Sequence, residues 1–271
     1  MLLKPALSFL TLLFPMAASQ SSLSARALGM NDWIQTRSQH AALYFLPGTA
    51  TVNTQRDIAR RTDQAIKQNL EWLGEESAGD RFKLFFVDSR RTMRRLVGMP
   101  AGGWSDARDG SAFFVSDDRT APALHHETMH LLSWRLWGLP GGMWMSEGVA
   151  TAAVGKCHGW SIDEAAAAMY RARKLPTIAV MRRRFKTAGI EGAEHYLASA
   201  SLILYIDREY GRAKVKELWQ NRGLANAQQI LGVSTLTLES QWRKTVASHR
   251  SPASWEVMSR AIDKEGCESS E

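Results

Sequence analysis

The sequence contains few cysteines, and it has no long apolar run beyond its N-terminal segment. Its two cysteines, Cys157 and Cys267, could pair in an oxidising compartment and tie the C-terminal tail to the middle of the chain, or they could remain free thiols. Neither lies near residue 19, so a lipoprotein anchor is not expected. Because no second apolar run follows, we expect the chain beyond that residue to be soluble.

The N-terminal segment has the pattern of a secretory signal peptide over residues 1–19. Lys4 precedes an apolar stretch at 6–14, and Pro15 is followed by small residues up to Ser19. This stretch is too short to span a bilayer comfortably. We therefore expect cleavage near Ser19 and export of residues 20–271, as a single domain, to the periplasm or the extracellular space.

Acidic residues are outnumbered in this chain, which has 34 Lys and Arg against 27 Asp and Glu and a formal net charge of +7. Much of the excess lies in two basic runs, which are typical of solvated helix faces. A weak contact with an anionic membrane surface, or with acidic segments of a substrate, is the functional alternative. A nucleic-acid partner is not expected outside the cell, and no aromatic-interleaved motif supports one. The runs comprise Arg90, Arg91, Arg94 and Arg95, then Arg182, Arg183, Arg184 and Lys186.

The order of apolar patterns predicts an α+β protein, and neither an internal repeat nor a low-complexity tract interrupts it. An N-terminal mixed α/β half with a small sheet is followed by an all-helical C-terminal half. A tail over about 250–271 has no interpretable motif and could be flexible. The predicted strands are 41–46, 81–87 and 111–115, with a glycine-rich loop at 98–110. The predicted helices are 54–73, 92–97, 122–137, 145–154, 162–173, 196–210, 213–219 and 241–248.

The segment ALHHETMHLL at 123–132 carries the first chemical signal. His126 and His130 are four positions apart, so a helix projects both from one face with Glu127 beside them. Two neutral imidazoles at this spacing can bind zinc, and the glutamate can take a proton from water on the metal. His125, one residue off this face, points elsewhere. The five-residue pattern HETMH is too short to establish a site, so a third ligand is required.

The third ligand could be a histidine six residues further on or a glutamate on the next helix. The extended pattern HxxGxxH is excluded, because Ser133 and Leu136 occupy its two remaining positions. Glu147, in WMSEGVA, is the single carboxylate between His130 and Asp163. A carboxylate among apolar neighbours needs a partner, which a metal ion would supply. His158 could close the site as a fourth ligand, but three protein ligands alone favour an open, catalytic one.

HETMH, with sixteen residues between it and the glutamate of WMSEGVA, resembles the gluzincin metallopeptidases. The likeness is greatest to their peptidase-MA-like branch, whose second motif commonly reads W-x-x-E-G-x-A. The segments KLPTIAVMRRRF and HYLASASLILYIDREYGRAKVKELW are similar to a proline-bearing loop and a tyrosine-containing helix of that branch. The resemblance covers about residues 41–219. Thr151 departs from the pattern, because some gluzincins place there an aspartate that orients the first histidine.

The resemblance implies a zincin-like fold, one zinc ion per chain and a peptide or protein substrate. It implies zinc ligation by His126, His130 and Glu147. It also implies that the strand at 111–115 pairs with an extended peptide, although an apolar strand there could equally be internal. As charge develops on the substrate oxygen, the family needs one more donor, and Tyr196, with His195 second, is the candidate.

We therefore hypothesise an exported zinc metallopeptidase in which Glu127 acts as general base. The alternative is a catalytically silent binding or scaffolding protein of the envelope that retains the zincin fold. Glu127 distinguishes the two, because a protein that does not hydrolyse needs no base beside the metal.

Overall fold

The structure is a computed structural model that describes residues 22–30, 32–50, 52–117, 121–187, 192–265 and 267. The predicted signal peptide lies outside these residues. The strands are β1 (Ile34–Arg37), β2 (Ala41–Phe45), β3 (Phe82–Val87), β4 (Gly103–Asp106), β5 (Ser111–Val115), β6 (Lys156–Cys157) and β7 (Trp160–Ser161). The helices are α1 (Leu23–Met30), α2 (Val52–Leu73), α3 (Arg90–Val97), α4 (Leu124–Trp137), α5 (Met143–Val154), α6 (Ile162–Arg171), α7 (Ile178–Thr187), α8 (Ala193–Tyr210), α9 (Arg212–Gln220), α10 (Ala227–Leu231), α11 (Thr235–Ser248) and α12 (Trp255–Glu265).

The first five strands form one mixed sheet in the order β1-β2-β3-β5-β4. The three central strands are parallel, and the two outer strands are antiparallel to their neighbours. Strand β5 is therefore internal, so the strand at 111–115 is not the edge strand that the resemblance implied. The edge strand on this side of the sheet is β4, which lies within the stretch predicted as a glycine-rich loop. Its four residues, GWSD, are too short and too polar to give a strand pattern.

Aromatic side chains explain how this sheet packs on both faces, because successive residues of a strand point to opposite sides. Rings of Phe45, Phe86 and Phe114 stack across three strands on one face, with centroids 4.6 and 5.0 Å apart. That face joins α2, α4 and the C-terminal helices in the main core. Phe85 and Phe113 lie on the other face, 4.8 Å apart, in a smaller core with α1 and α3.

The basic runs lie on helices, as their interpretation requires. The first occupies α3, whose four arginines are exposed while Met93 and Leu96 are buried against the sheet. The second lies on α7, where side chains beyond residue 183 are outside the described part. In the described residues no helix is both long enough and apolar enough to cross a membrane.

The C-terminal half packs around α8, which contacts α5, α6 and α9. It is not all-helical as predicted, because β6 and β7 form a two-stranded hairpin directly after α5. Gly155 ends α5, with its backbone in the left-handed region at φ 78°. Gly159, at φ 80°, lies in the turn of the hairpin, so the chain is not helical between α5 and α6. Cys157 of the hairpin forms a disulfide with Cys267, as one of the two expectations had it.

The C-terminal segment, in which no motif was interpretable and which the sequence allowed to be flexible, contains helix α12. Trp255, Met258 and Ile262 of this helix are buried in the main core. They recur every three to four residues, which is the spacing of one helical face. The segment after residue 250 is therefore packed on the domain over these residues rather than trailing from it.

Candidate metal centre

Two consecutive helices bring the predicted metal-binding side chains together. Helix α4 carries His126, Glu127 and His130, and α5 carries Glu147. Between them the chain turns sharply through a glycine-rich stretch. A Cβ atom on Gly141 would lie 2.6 Å from Cα of Arg222, and closer still to the next backbone atoms, so only glycine fits this turn. The turn folds α5 back against α4.

The three ligand atoms form a nearly equilateral triangle. Glu147 Oε2 lies 3.2 Å from Nε2 of His126 and 3.3 Å from Nε2 of His130, and the two nitrogens are 3.2 Å apart. Glu147 and His130 are buried, and the His126 side chain is 12% exposed. Among the described residues, these three are the group of histidine, cysteine, aspartate and glutamate side chains able to hold a metal ion.

This triangle has the dimensions of a zinc site. Zinc in proteins binds nitrogen and carboxylate oxygen at about 2.0–2.1 Å in a tetrahedral arrangement, which separates its ligand atoms by about 3.3 Å. The observed separations of 3.2–3.3 Å match that edge length. Two imidazole nitrogens and a carboxylate oxygen also form a donor set that zinc accepts. The residues present therefore fit the ion.

The ring of His130 is fixed on its other side. Its Nδ1 lies 3.0 Å from the hydroxyl oxygen of Ser146, which also accepts a 3.2 Å bond from the indole N–H of Trp134. The Trp134 ring stacks on the imidazole, with centroids 5.1 Å apart and planes 19° apart. When Nδ1–H donates to Ser146, Nε2 keeps its lone pair for a metal ion.

Glu147 is held in its ionised form. Burial alone would raise the pKa of its carboxyl, but the charge of His130 and hydrogen bonds from both histidines outweigh burial, so the pKa lies well below its usual range. The positive charge that favours the ionised carboxylate here belongs to protonated histidine rings, and a bound cation would supply it instead, because histidine ligates a metal as the neutral ring. By contrast, burial and then the charge of His126 lower the pKa of His125 to about 4.

Glu127 is 5% exposed and lies against the edge strand. The hydroxyl of Ser105 on β4 donates to its Oε2, with the oxygens 2.6 Å apart. Sequence reasoning did not find Ser105, because its contact depends on how β4 registers against β5. Ser146 was also missed, although it stands inside WMSEGVA directly before Glu147.

The other predicted residues lie at different distances from the cluster. Tyr196 is in the first turn of α8, with its ring centroid 6.4 Å from that of His126. His195 and His158 are not members of the metal-binding group, and the ring of His158 lies beside Trp160 on the β6–β7 hairpin. Thr151 is buried one turn beyond Glu147. The hydroxyl that contacts a ligating ring belongs to Ser146 instead.

His125 is not a member of the metal-binding group, and its segment anchors α4 to α2. The Asn69 side chain donates 2.9 Å bonds to the backbone carbonyl of His125 and to the hydroxyl of Thr128. These buried bonds set the position of the helix that presents both histidines.

Among known proteins, the matches to this chain are solved structures. No protein-family model matches the chain, and no curated protein matches it. Similar solved structures include two of the IMPa metallopeptidase from Pseudomonas aeruginosa, one in complex with an O-glycopeptide, at 12% and 13% identity and TM-scores of 0.33 and 0.32. Each match covers 89% of this chain and 36% of the other, so the chain spans about a third of the length of those proteins. A likeness at this level does not identify the reaction.

Proposed function

We propose that this protein is an exported zinc-dependent metallopeptidase of the gluzincin type, with a zincin-like domain. The observation that carries the proposal is the triangle of His126, His130 and Glu147, whose edges of 3.2–3.3 Å suit tetrahedral zinc. A buried glutamate, Glu127, follows His126 directly on α4, and this supports hydrolysis rather than a structural metal. The Cys157–Cys267 disulfide supports export, because such bonds persist in oxidising compartments.

The protein's own residues then take separate roles. Zinc, when bound, would supply Lewis acidity and a water of lowered pKa at a fourth, open position. Glu127 accepts a proton from water as the peptide carbonyl is attacked and returns it to the leaving amine. Tyr196, beside His126, donates a hydrogen bond to the substrate oxygen as negative charge develops.

Metal analysis tests the ligand set. We expect the purified wild-type protein to hold about one zinc ion per chain. Glu147→Ala should lose most of it, because two imidazoles remain where three ligands stood. Glu217→Ala is the matched control, since it removes a surface carboxylate that pairs with Lys214 and should leave zinc content unchanged. Stoichiometric zinc at unaltered affinity in Glu147→Ala would show that the third ligand is wrong.

Cleavage of a diverse peptide library by zinc-loaded wild type and Glu127→Gln tests the reaction. The amide keeps the size of the side chain but cannot accept the proton, so cleavage should fall by about 10²–10⁴-fold. Both proteins should hold equal zinc. If both cleave equally, or neither cleaves with zinc bound, the protein is instead a non-catalytic binding or scaffolding protein of the envelope.

A further inference from the structure

Edge strand β4 passes over the helix that carries Glu127. Side chains two positions apart on a strand point to the same side, so Gly103 and Ser105 share one face. That face is turned toward α4, because both residues contact Glu127. Trp104, between them, packs instead in the smaller core on the opposite face. The strand thus presents one hydroxyl and one bare backbone position to the proposed base.

The hydroxyl of Ser105 makes a strong bond to that base. Its oxygen lies 2.6 Å from Glu127 Oε2 and 3.1 Å from the backbone carbonyl oxygen of the same residue. A hydroxyl has one proton to donate, and a carboxylate attracts it more strongly than a carbonyl does. The bond therefore goes to Oε2 and fixes one end of the carboxylate.

Gly103 leaves room for the rest of the carboxylate. A Cβ atom at this position would lie 2.8 Å from both Cγ and Cδ of Glu127, and closer still to Oε1. Any side chain would push the carboxylate away from α4's metal-binding face or push the strand outward. Gly103 leaves space for the Glu127 carboxylate, and Ser105, on the same strand, donates a hydrogen bond to it.

We propose that Ser105 is a positioning residue, which holds the Glu127 carboxylate in the orientation needed for proton transfer, with Gly103 providing the space. This inference rests on the proposed function, because it gives Ser105 a role only if Glu127 is a base. A glutamate side chain has several rotatable bonds, and a displacement of about 1 Å at a reacting group can lower the rate about 100-fold. The edge strand restricts that freedom through the hydroxyl of Ser105 and the close approach of Gly103.

The decisive comparison is between Ser105→Thr and Ser105→Val. The two side chains have nearly the same shape and suit a strand, but only threonine carries a hydroxyl. On a fluorogenic peptide chosen from the library, the zinc-loaded threonine variant should keep kcat within about threefold, whereas valine should lower kcat about 10–100-fold. KM should stay within about twofold and zinc at about one per chain in both. Gly103→Ala should likewise lower kcat.

Ser111→Ala controls for general damage to the sheet. Ser111 is fully buried on neighbouring strand β5, and its hydroxyl donates to Asp109, away from Glu127. This variant should leave kcat unchanged even if its melting temperature falls.

A metal-free measurement tests the contact independently of cleavage. Without zinc, replacing threonine by valine at 105 should lower the melting temperature, because the buried Glu127 carboxylate loses a hydrogen-bond donor. In a Glu127→Ala background, the fall in melting temperature caused by the same replacement should be smaller by at least about 2 °C, as expected for groups that interact directly. Additive shifts would overturn the proposal.

The kinetic outcomes separate this inference from the proposed function. If wild type cleaves the peptide and the valine and threonine variants match each other, Ser105 has no positioning role, while the peptidase assignment stands. If zinc-loaded wild type cleaves nothing in the library, the peptidase assignment fails and the role of Ser105 fails with it.

Discussion

At the scale of single residues, the cluster depends on which nitrogen of each histidine is free. His130 can present Nε2 toward Glu147 because Ser146 and Trp134 fix its opposite edge and its plane. The Ser146 hydroxyl also satisfies the Trp134 indole, so one small side chain orders two large ones. Loss of a hydrogen bond that orients a ligating histidine commonly lowers metal affinity.

Ser146→Ala should therefore weaken zinc binding about 10–100-fold, because the His130 ring loses the partner that sets its orientation. Ser133→Ala is a suitable control, since Ser133 is as deeply buried on α4, the helix that carries His130, but its hydroxyl donates to the backbone carbonyl of His130 and not to the ring. Competition with a chromophoric chelator measures both affinities. Equal affinities in the two variants would mean that the stacked tryptophan alone orients the ring.

Spacing within the sequence was sufficient to bring the metal-binding group together. His126 and His130 share a helix, so their proximity follows from helical periodicity alone. Glu147 was identified by elimination, because no other carboxylate lies between His130 and Asp163. Ser105 could not be found in this way, since its distance from Glu127 depends on strand pairing between residues far apart in sequence.

At the scale of elements, the contact between α5 and α8 sets the position of Glu147. Gly148 is the point of closest approach: a Cβ atom there would lie 3.1 Å from Cγ1 of Ile203 and from two atoms of Ser199, one of them backbone. Backbone atoms cannot move aside without shifting the helix. The glycine after Glu147 therefore lets the two helices pack closely.

Gly148→Ala should lower the free energy of unfolding of the metal-free protein by about 0.5–2 kcal/mol, because steric overlap exceeds the gain in helix propensity. Gly29→Ala in α1 is the matched control. No atom lies within 4 Å of its added methyl group, so it should be neutral or stabilising by up to about 1 kcal/mol. Urea unfolding monitored by circular dichroism compares them. If Gly148→Ala were more stable than wild type, α8 would be able to shift and accommodate the added methyl group.

Several elements with strong periodicity or continuous apolar runs were predicted, whereas short polar strands and helix α12 were not. The aromatic strands β3 and β5 and the long helix α2 follow simple patterns. Strand β4, with sequence GWSD, is defined by its pairing with β5 rather than by its own residues. The hairpin after α5 is similarly defined by two left-handed glycines and a buried cysteine.

At the scale of the whole molecule, the disulfide joins the hairpin that follows α5 to the residues that follow α12. The two cysteines are 110 residues apart in sequence, so the bond closes a long loop that holds most of the helical half. A cross-link of this length restricts the unfolded chain strongly. None of the metal-binding residues lies inside that loop.

Replacing both cysteines with alanine should lower the free energy of unfolding by about 2–5 kcal/mol, which corresponds to a fall in melting temperature of roughly 5–15 °C. Zinc content should stay at the wild-type level, because His126, His130 and Glu147 precede the loop. Reduced wild-type protein provides the control, since it should melt near the double variant. An unchanged melting temperature would mean that helical packing alone holds α12 in place.

The position of Cys267 also orders events during biogenesis. Because it follows α12, the covalent link to the hairpin cannot be made until every other described element has emerged from the machinery that makes or exports the chain. Oxidation of this pair therefore reports that Cys267 has been made: a chain interrupted anywhere between the hairpin and Cys267 retains Cys157 without the thiol it bonds in the folded protein, and so is chemically distinguishable from a chain that contains both cysteines.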